Sequence, residues 1–180
     1  MKLGALATLV LLLAAAGCGG GGTSAEEAWA EEVCASVASW KTEVESIARN
    51  AADALTEPGA TRADVEAAVE NGLDATSTLV DELRASVPPD TPEGDEAKAA
   101  VDAFLDNVQA SDDEVRTALA GLPEGAGLSE IVAELSGLGT NLQQTVESGR
   151  TLVSDIQQLG SALKDGFENA DACQELQSSS

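Results

Sequence analysis

The chain has 180 residues, with 32 acidic against 9 basic side chains and a formal net charge of −23. A balance this acidic excludes nucleic acid as a partner, because that affinity comes mainly from neutralising phosphates with Lys and Arg. Histidine is absent, which removes at once the imidazole base, any Ser-His arrangement and the commonest zinc ligand.

The amino terminus reads as an export signal. Lys2 supplies a positive start, and Leu3 to Ala16 form an uncharged apolar run. The run is shorter than the about 20 residues a spanning helix needs and fits a signal core. Ala15-Ala16-Gly17-Cys18 resembles the lipobox of bacterial lipoproteins, with Ala15 where that family favours Leu. The resemblance implies removal of residues 1–17, a diacylglycerol on the Cys18 thiol and, in many members, acylation of the new amino terminus. Two or more acyl chains hold a protein stably on a membrane, whereas one is marginal. The alternative is ordinary secretion, since Ala14-Ala15-Ala16 also satisfies the small-x-small cleavage rule.

Cysteine parity bears on the choice. The chain has Cys18, Cys34 and Cys173, and lipidation of Cys18 leaves Cys34 and Cys173 as an even pair in an oxidising compartment. Residues 18–24, the lipidated Cys and a Gly-rich stretch, read as a flexible tether. A helical domain is predicted over 25–176, followed by a disordered tail over 177–180.

Four helices are predicted in that domain. The first starts near Ala25, capped by Thr23 or Ser24, and carries Val33, Val37, Trp40, Val44, Ile47, Ala51 and Ala54 on a heptad seam. Pro58-Gly59 stops it. Thr61 and Asp64 resemble a capping box for the second helix, which uses Val65, Val69, Leu73, Thr76, Val80 and Leu83 and ends before Pro88-Pro89. Thr91-Pro92 starts the third in N-cap and N1 style. It runs to Gly121-Leu122-Pro123, with Ser111 and Glu114 suggesting an internal box and a kink. The last helix is expected from Leu128 to about Ala172, roughly 65 Å at 1.5 Å per residue, against about 40 to 50 Å for the others. That excess predicts an overhang or a bend near Gly137-Leu138-Gly139.

Short loops between four helices predict an all-α, coiled-coil-like, up-down-up-down four-helix bundle. Its topology brings Cys34 and Cys173 to one pole, as a structural disulfide requires. A redox role lacks both the close C-x-x-C spacing and the basic surroundings that lower a thiol pKa. The bundle end carrying that bridge is expected to face the membrane.

Chemistry-bearing patterns are few. No catalytic, metal or cofactor set emerges, and acidic neighbours such as Asp112-Asp113 lack the ordered spacing of a calcium loop. The unusual residues lie in the seams. Thr76, Ser111 and Thr145 occupy slots that suit Leu or Val, with Gly149 beside Thr145. They either line a small polar ligand cavity, or the Ser and Thr bond back to their own helices while Gly149 lets helices approach closely. Trp40 is expected in the core, and Trp29 as a cap over the bundle end rather than a partner contact.

Trp29-Ala30-Glu31-Glu32-Val33-Cys34, then Trp40, Phe167 and Ala172-Cys173-Gln174, is similar to small exported helical proteins of high-GC Gram-positive bacteria. That resemblance implies a two-cysteine helical fold and supplies no catalytic residues. The expectation is therefore a non-enzymatic protein, lipid-anchored on the extracytoplasmic face of the cell membrane. It would bind or organise an envelope protein or a cationic ligand; its oligomeric state is open. The alternative is a ligand-binding or sensor module with Thr76, Thr145 and Gly149 around a site inside the bundle.

Overall fold

The computed structural model describes residues 23–56, 59–123 and 126–178, the side chains of 134–142 excepted. The signal segment, the Cys18 lipidation site and tether residues 19–22 lie outside the described residues. Every regular element among the described residues is a helix: α1 (Ala25–Thr56), α2 (Arg62–Ala85), α3 (Pro92–Gly121), α4 (Leu128–Ile156), α5 (Ser161–Asn169) and α6 (Asp171–Ser178).

The helix starts follow local chemistry. Ser24 Oγ accepts the Glu27 amide at 3.0 Å. At α2 the Thr61 hydroxyl accepts the Asp64 amide at 3.4 Å, while the Thr61 amide donates to Asp64 Oδ2 at 2.8 Å. Bonds from the Thr61 side chain, then its backbone, hold the Asp64 carboxyl below its ordinary 3.8. This box is therefore intact above that pH and is lost as pH falls through the lowered value. Thr91 Oγ1 accepts the Gly94 amide at 3.0 Å, with Pro92 in the first helical position.

The long final helix is corrected by the structure. α4 is uninterrupted through Gly137–Gly139 and ends at Ile156, and the chain turns over Gln157–Gly160 before α5 and α6. Its 29 residues give about 43 Å, which matches its neighbours and removes the overhang. Gly160 adopts an extended conformation as the N-cap of α5, and Ala170 separates α5 from α6 in the same way. The hydrophobic repeat continues across both breaks because α5 and α6 bury their apolar faces against α1. α6 continues to Ser178, two residues into the expected tail, and residues 179–180 lie outside the described residues. At Ser111, α3 shows no interruption. The Ser111 hydroxyl instead bonds Thr145 Oγ1 across to α4 at 2.9 Å.

α1 packs along α2 and against α5 and α6, and α3 packs along α4. The dense core draws on Trp29, Val33 and Val37 of α1, Leu79 and Leu83 of α2, and Val101, Phe104 and Leu105 of α3. Ile156, Leu163, Phe167 and Leu176 complete it from the C-terminal third. All four aromatic residues are used as edge-to-face pairs. Trp29 meets Phe167 at 5.7 Å between centroids, and Trp40 meets Phe104 at 6.4 Å. Trp29 is thus buried between α1 and α5, with its indole N–H donated to Ser86 Oγ at 3.3 Å.

Cys34 and Cys173 form a disulfide with 4.9 Å between Cα atoms, both fully buried. It ties α6 to α1, assisted by the Glu31 carboxylate accepting the Ala172 amide at 3.0 Å. α5 approaches α1 so closely that a Cβ on Gly166 would lie 2.8 Å from the Glu26 carbonyl carbon and 2.9 Å from the Glu27 nitrogen. Alanine gains up to about 1 kcal/mol of helix propensity over glycine, but backbone atoms cannot yield as a side chain would. Gly166→Ala should therefore destabilise by a net about 1–3 kcal/mol, the usual cost of overpacking, read as a lower urea midpoint at unchanged slope.

Candidate functional site

The two halves of the helical assembly are filled differently, and the sequence explains why. Where the core is dense, the seams carry Trp, Phe and Leu. Further along, α1 offers Ala48, Ala51 and Ala52, and α2 offers Ala68 and Gly72. Helices pack with axes about 8–10 Å apart, and side chains this small cannot fill the space at native density. The outcome is a cavity of about 330 Å³ between the second half of α1, the first half of α2, the second half of α3, and α4. Ile47, Leu55, Val69, Leu73 and Val115 face it and remain only partly buried.

Val65, itself on the cavity wall, is buried, and so is Ile131 at the start of α4. Arg62 Nη1 donates to the Pro123 carbonyl at 2.8 Å, tying the start of α2 to the loop after α3.

Polar groups cluster at the end of the cavity nearest the dense core. Thr76 donates to the Gly72 carbonyl at 2.8 Å and accepts the Trp40 indole N–H at 3.3 Å. Ser111 and Thr145 share their 2.9 Å bond on the facing wall. Asp112 lines the cavity beside Ser111; its side chain is 20% exposed. It accepts from Arg116 Nε at 3.1 Å, and that guanidinium is 56% exposed and does not line the cavity.

Of the residues singled out in the sequence, Thr76 and Thr145 lie on the cavity wall, and Ser111 joins them. Both alternatives for Thr76 hold together: it bonds back to its own helix and still faces the open space. Gly149 is a correction. It does not line the cavity; a Cβ there would stand 3.0 Å from Val37 Cγ1 and 3.7 Å from Phe104 Cζ, so it serves close packing of α4 in the dense half. Asp112, set aside in the sequence as lacking calcium-loop spacing, also lines the cavity. The signal that marks it is its place next to Ser111 at the edge of a helix face that turns inward.

The Trp40–Thr76 bond has a measurable consequence. Thr76→Val keeps the shape but removes the acceptor of a nearly buried indole N–H. A buried donor left unsatisfied costs about 1–3 kcal/mol, so this variant should unfold earlier on heating, with Trp40 emission altered.

Among the described residues no group of three or more His, Cys, Asp or Glu is arranged to hold a metal ion. No described helix is long and apolar enough to cross a membrane. Comparison with protein-family models, characterised proteins and solved structures finds no match. The geometry of the cavity therefore carries the functional argument alone.

Proposed function

We propose that this chain is a lipid-anchored extracytoplasmic binding protein that takes a small, mainly apolar ligand into the cavity between its helices. The observation that carries this reading is the cavity itself, with apolar walls and hydroxyls gathered at one end. At about 330 Å³ it falls in the range of small-molecule sites, which start near 300 Å³. An engineered cavity of about 150 Å³ takes benzene, so this one suits roughly twice as many non-hydrogen atoms. A ten-carbon chain with one head atom fits that count.

In this reading α1 to α4 run up-down-up-down, and α5 and α6 fold back onto α1. The disulfide pole, next to the tether, faces the membrane, and the cavity half points away from it. The anchor is Cys18. Cys18→Ser should release the protein from the membrane fraction; retention of the processed variant there would contradict the anchor.

Binding is tested by calorimetric titration of the purified protein with 1-decanol. At about 0.5 kcal/mol per non-hydrogen atom, between the limits for tiny and drug-sized ligands, the expected Kd is about 100 µM. No heat and no saturation up to the solubility limit of the alcohol would count against a ligand site.

A further inference from the structure

We infer that the preferred occupant is a cationic amphiphile, an alkyl chain of about ten carbons ending in an ammonium group; this rests on the cavity being a ligand site. Three features of the wall support it. The polar end presents Ser111, Thr145 and Asp112, whose oxygens accept hydrogen bonds, and an ammonium carries three donors and no acceptor. No Lys or Arg is found among the described lining residues, so nothing there would neutralise a carboxylate or phosphate head. Asp112 is four-fifths buried and lines the cavity, while its partner Arg116 is mostly exposed and does not. A second cation inside the cavity would be held by a carboxylate shielded from water, where charge-assisted hydrogen bonds are strongest.

The tail then lies along Ile47, Ala51, Leu55, Val69 and Val115, towards the far end. Affinity comes from the chain, and selection of the head comes from Asp112, the more buried of the two described carboxylates on the wall; the other, Glu114, is exposed. The net charge of −23 favours cations everywhere on the molecule, so the specific effect must be separated from the general one. Asp113 allows this, because it neighbours Asp112, is exposed and does not line the cavity.

The experiment titrates the purified protein, by calorimetry at pH 7 and 0.15 M salt, with decylammonium, 1-decanol and decanoate. Decylammonium should bind at least tenfold more tightly than 1-decanol, with decanoate weakest. Asp112→Asn should reduce the ammonium advantage to twofold or less and leave 1-decanol affinity unchanged, while Asp113→Asn should preserve the advantage. Equal binding of all three heads, or an equal effect of the two Asn variants, would overturn the head-group assignment and leave the cavity reading standing. Failure of every ligand to bind would overturn the cavity reading itself.

Discussion

A variant without the disulfide, Cys34→Ala with Cys173→Ala, should melt about 10–15 °C below the parent protein. The bridge closes a loop with a sequence separation of 139. In the chain-entropy model that closure stabilises by up to about 5 kcal/mol, and removal of native disulfides typically costs about 2–5 kcal/mol. Each kcal/mol moves the Tm of a domain this size by about 2–4 °C. The loss should also be uneven. α6 has eight residues and α5 nine, and isolated helices under about 12 residues are marginal in water. Without the bridge these two should leave α1 first and expose the Trp29–Phe167 pair. Trp29 emission should then shift to the red below the main transition seen by circular dichroism. A Tm within about 2 °C of the parent would mean that packing of α5 and α6 holds the pole without help.

Filling the cavity should raise stability and abolish binding together. Ala51→Leu with Ala68→Leu adds three carbons from each of two walls. Burial contributes about 0.8 kcal/mol per CH₂ at most, and partial exposure of both sites reduces this. A net gain of about 1–2 kcal/mol is expected, within the usual range for cavity filling. In a filled core the same change would instead cost about 1–3 kcal/mol through overpacking, so the sign of the stability change reads the cavity directly. Affinity for 1-decanol should fall at least tenfold, because the added side chains take the volume the chain would occupy. A more stable protein that binds as well as before would place the ligand elsewhere.

Much of this architecture is legible in the residues. Ser24, Thr61 with Asp64, and Thr91 with Pro92 mark helix starts because their side chains satisfy amides that a helix leaves open. Cys34 and Cys173 are paired by parity. The break at Gln157–Gly160 is not legible, because Leu152, Ile156, Leu159 and Leu163 keep a heptad phase that a single helix would also show. Periodicity reports which face is buried, not whether the helix continues. Gly160 is the mark of the turn, yet Gly137, Gly139 and Gly149 sit inside α4 and dilute it.

The site shows the same division. Thr76 and Thr145 stand out as polar residues in apolar slots, and both line the cavity. The void itself is encoded in what surrounds them: Ala51, Ala68 and Gly72 where Trp40, Leu79 and Leu83 serve the dense half. Ala in a seam is read easily as ordinary core. Only when small residues on facing helices fall at the same level does the space fail to close, and that alignment is a property of the fold. Gly149 fails as a site residue for the converse reason, since its missing side chain is taken up by Val37 and Phe104.

The central claim, that a chain enters the cavity, is tested most directly by contact quenching with 10-bromodecan-1-ol. Trp40 lines the cavity, and Trp29 is buried against Phe167 in the dense half. Bromine quenches indole emission only at close range. In Trp29→Phe, where Trp40 is the sole emitter, emission should fall saturably with the affinity measured for 1-decanol. In Trp40→Phe, where Trp29 remains, it should stay unchanged over the same concentrations. Equal quenching of both indoles, or of neither at saturation, would contradict binding in the cavity.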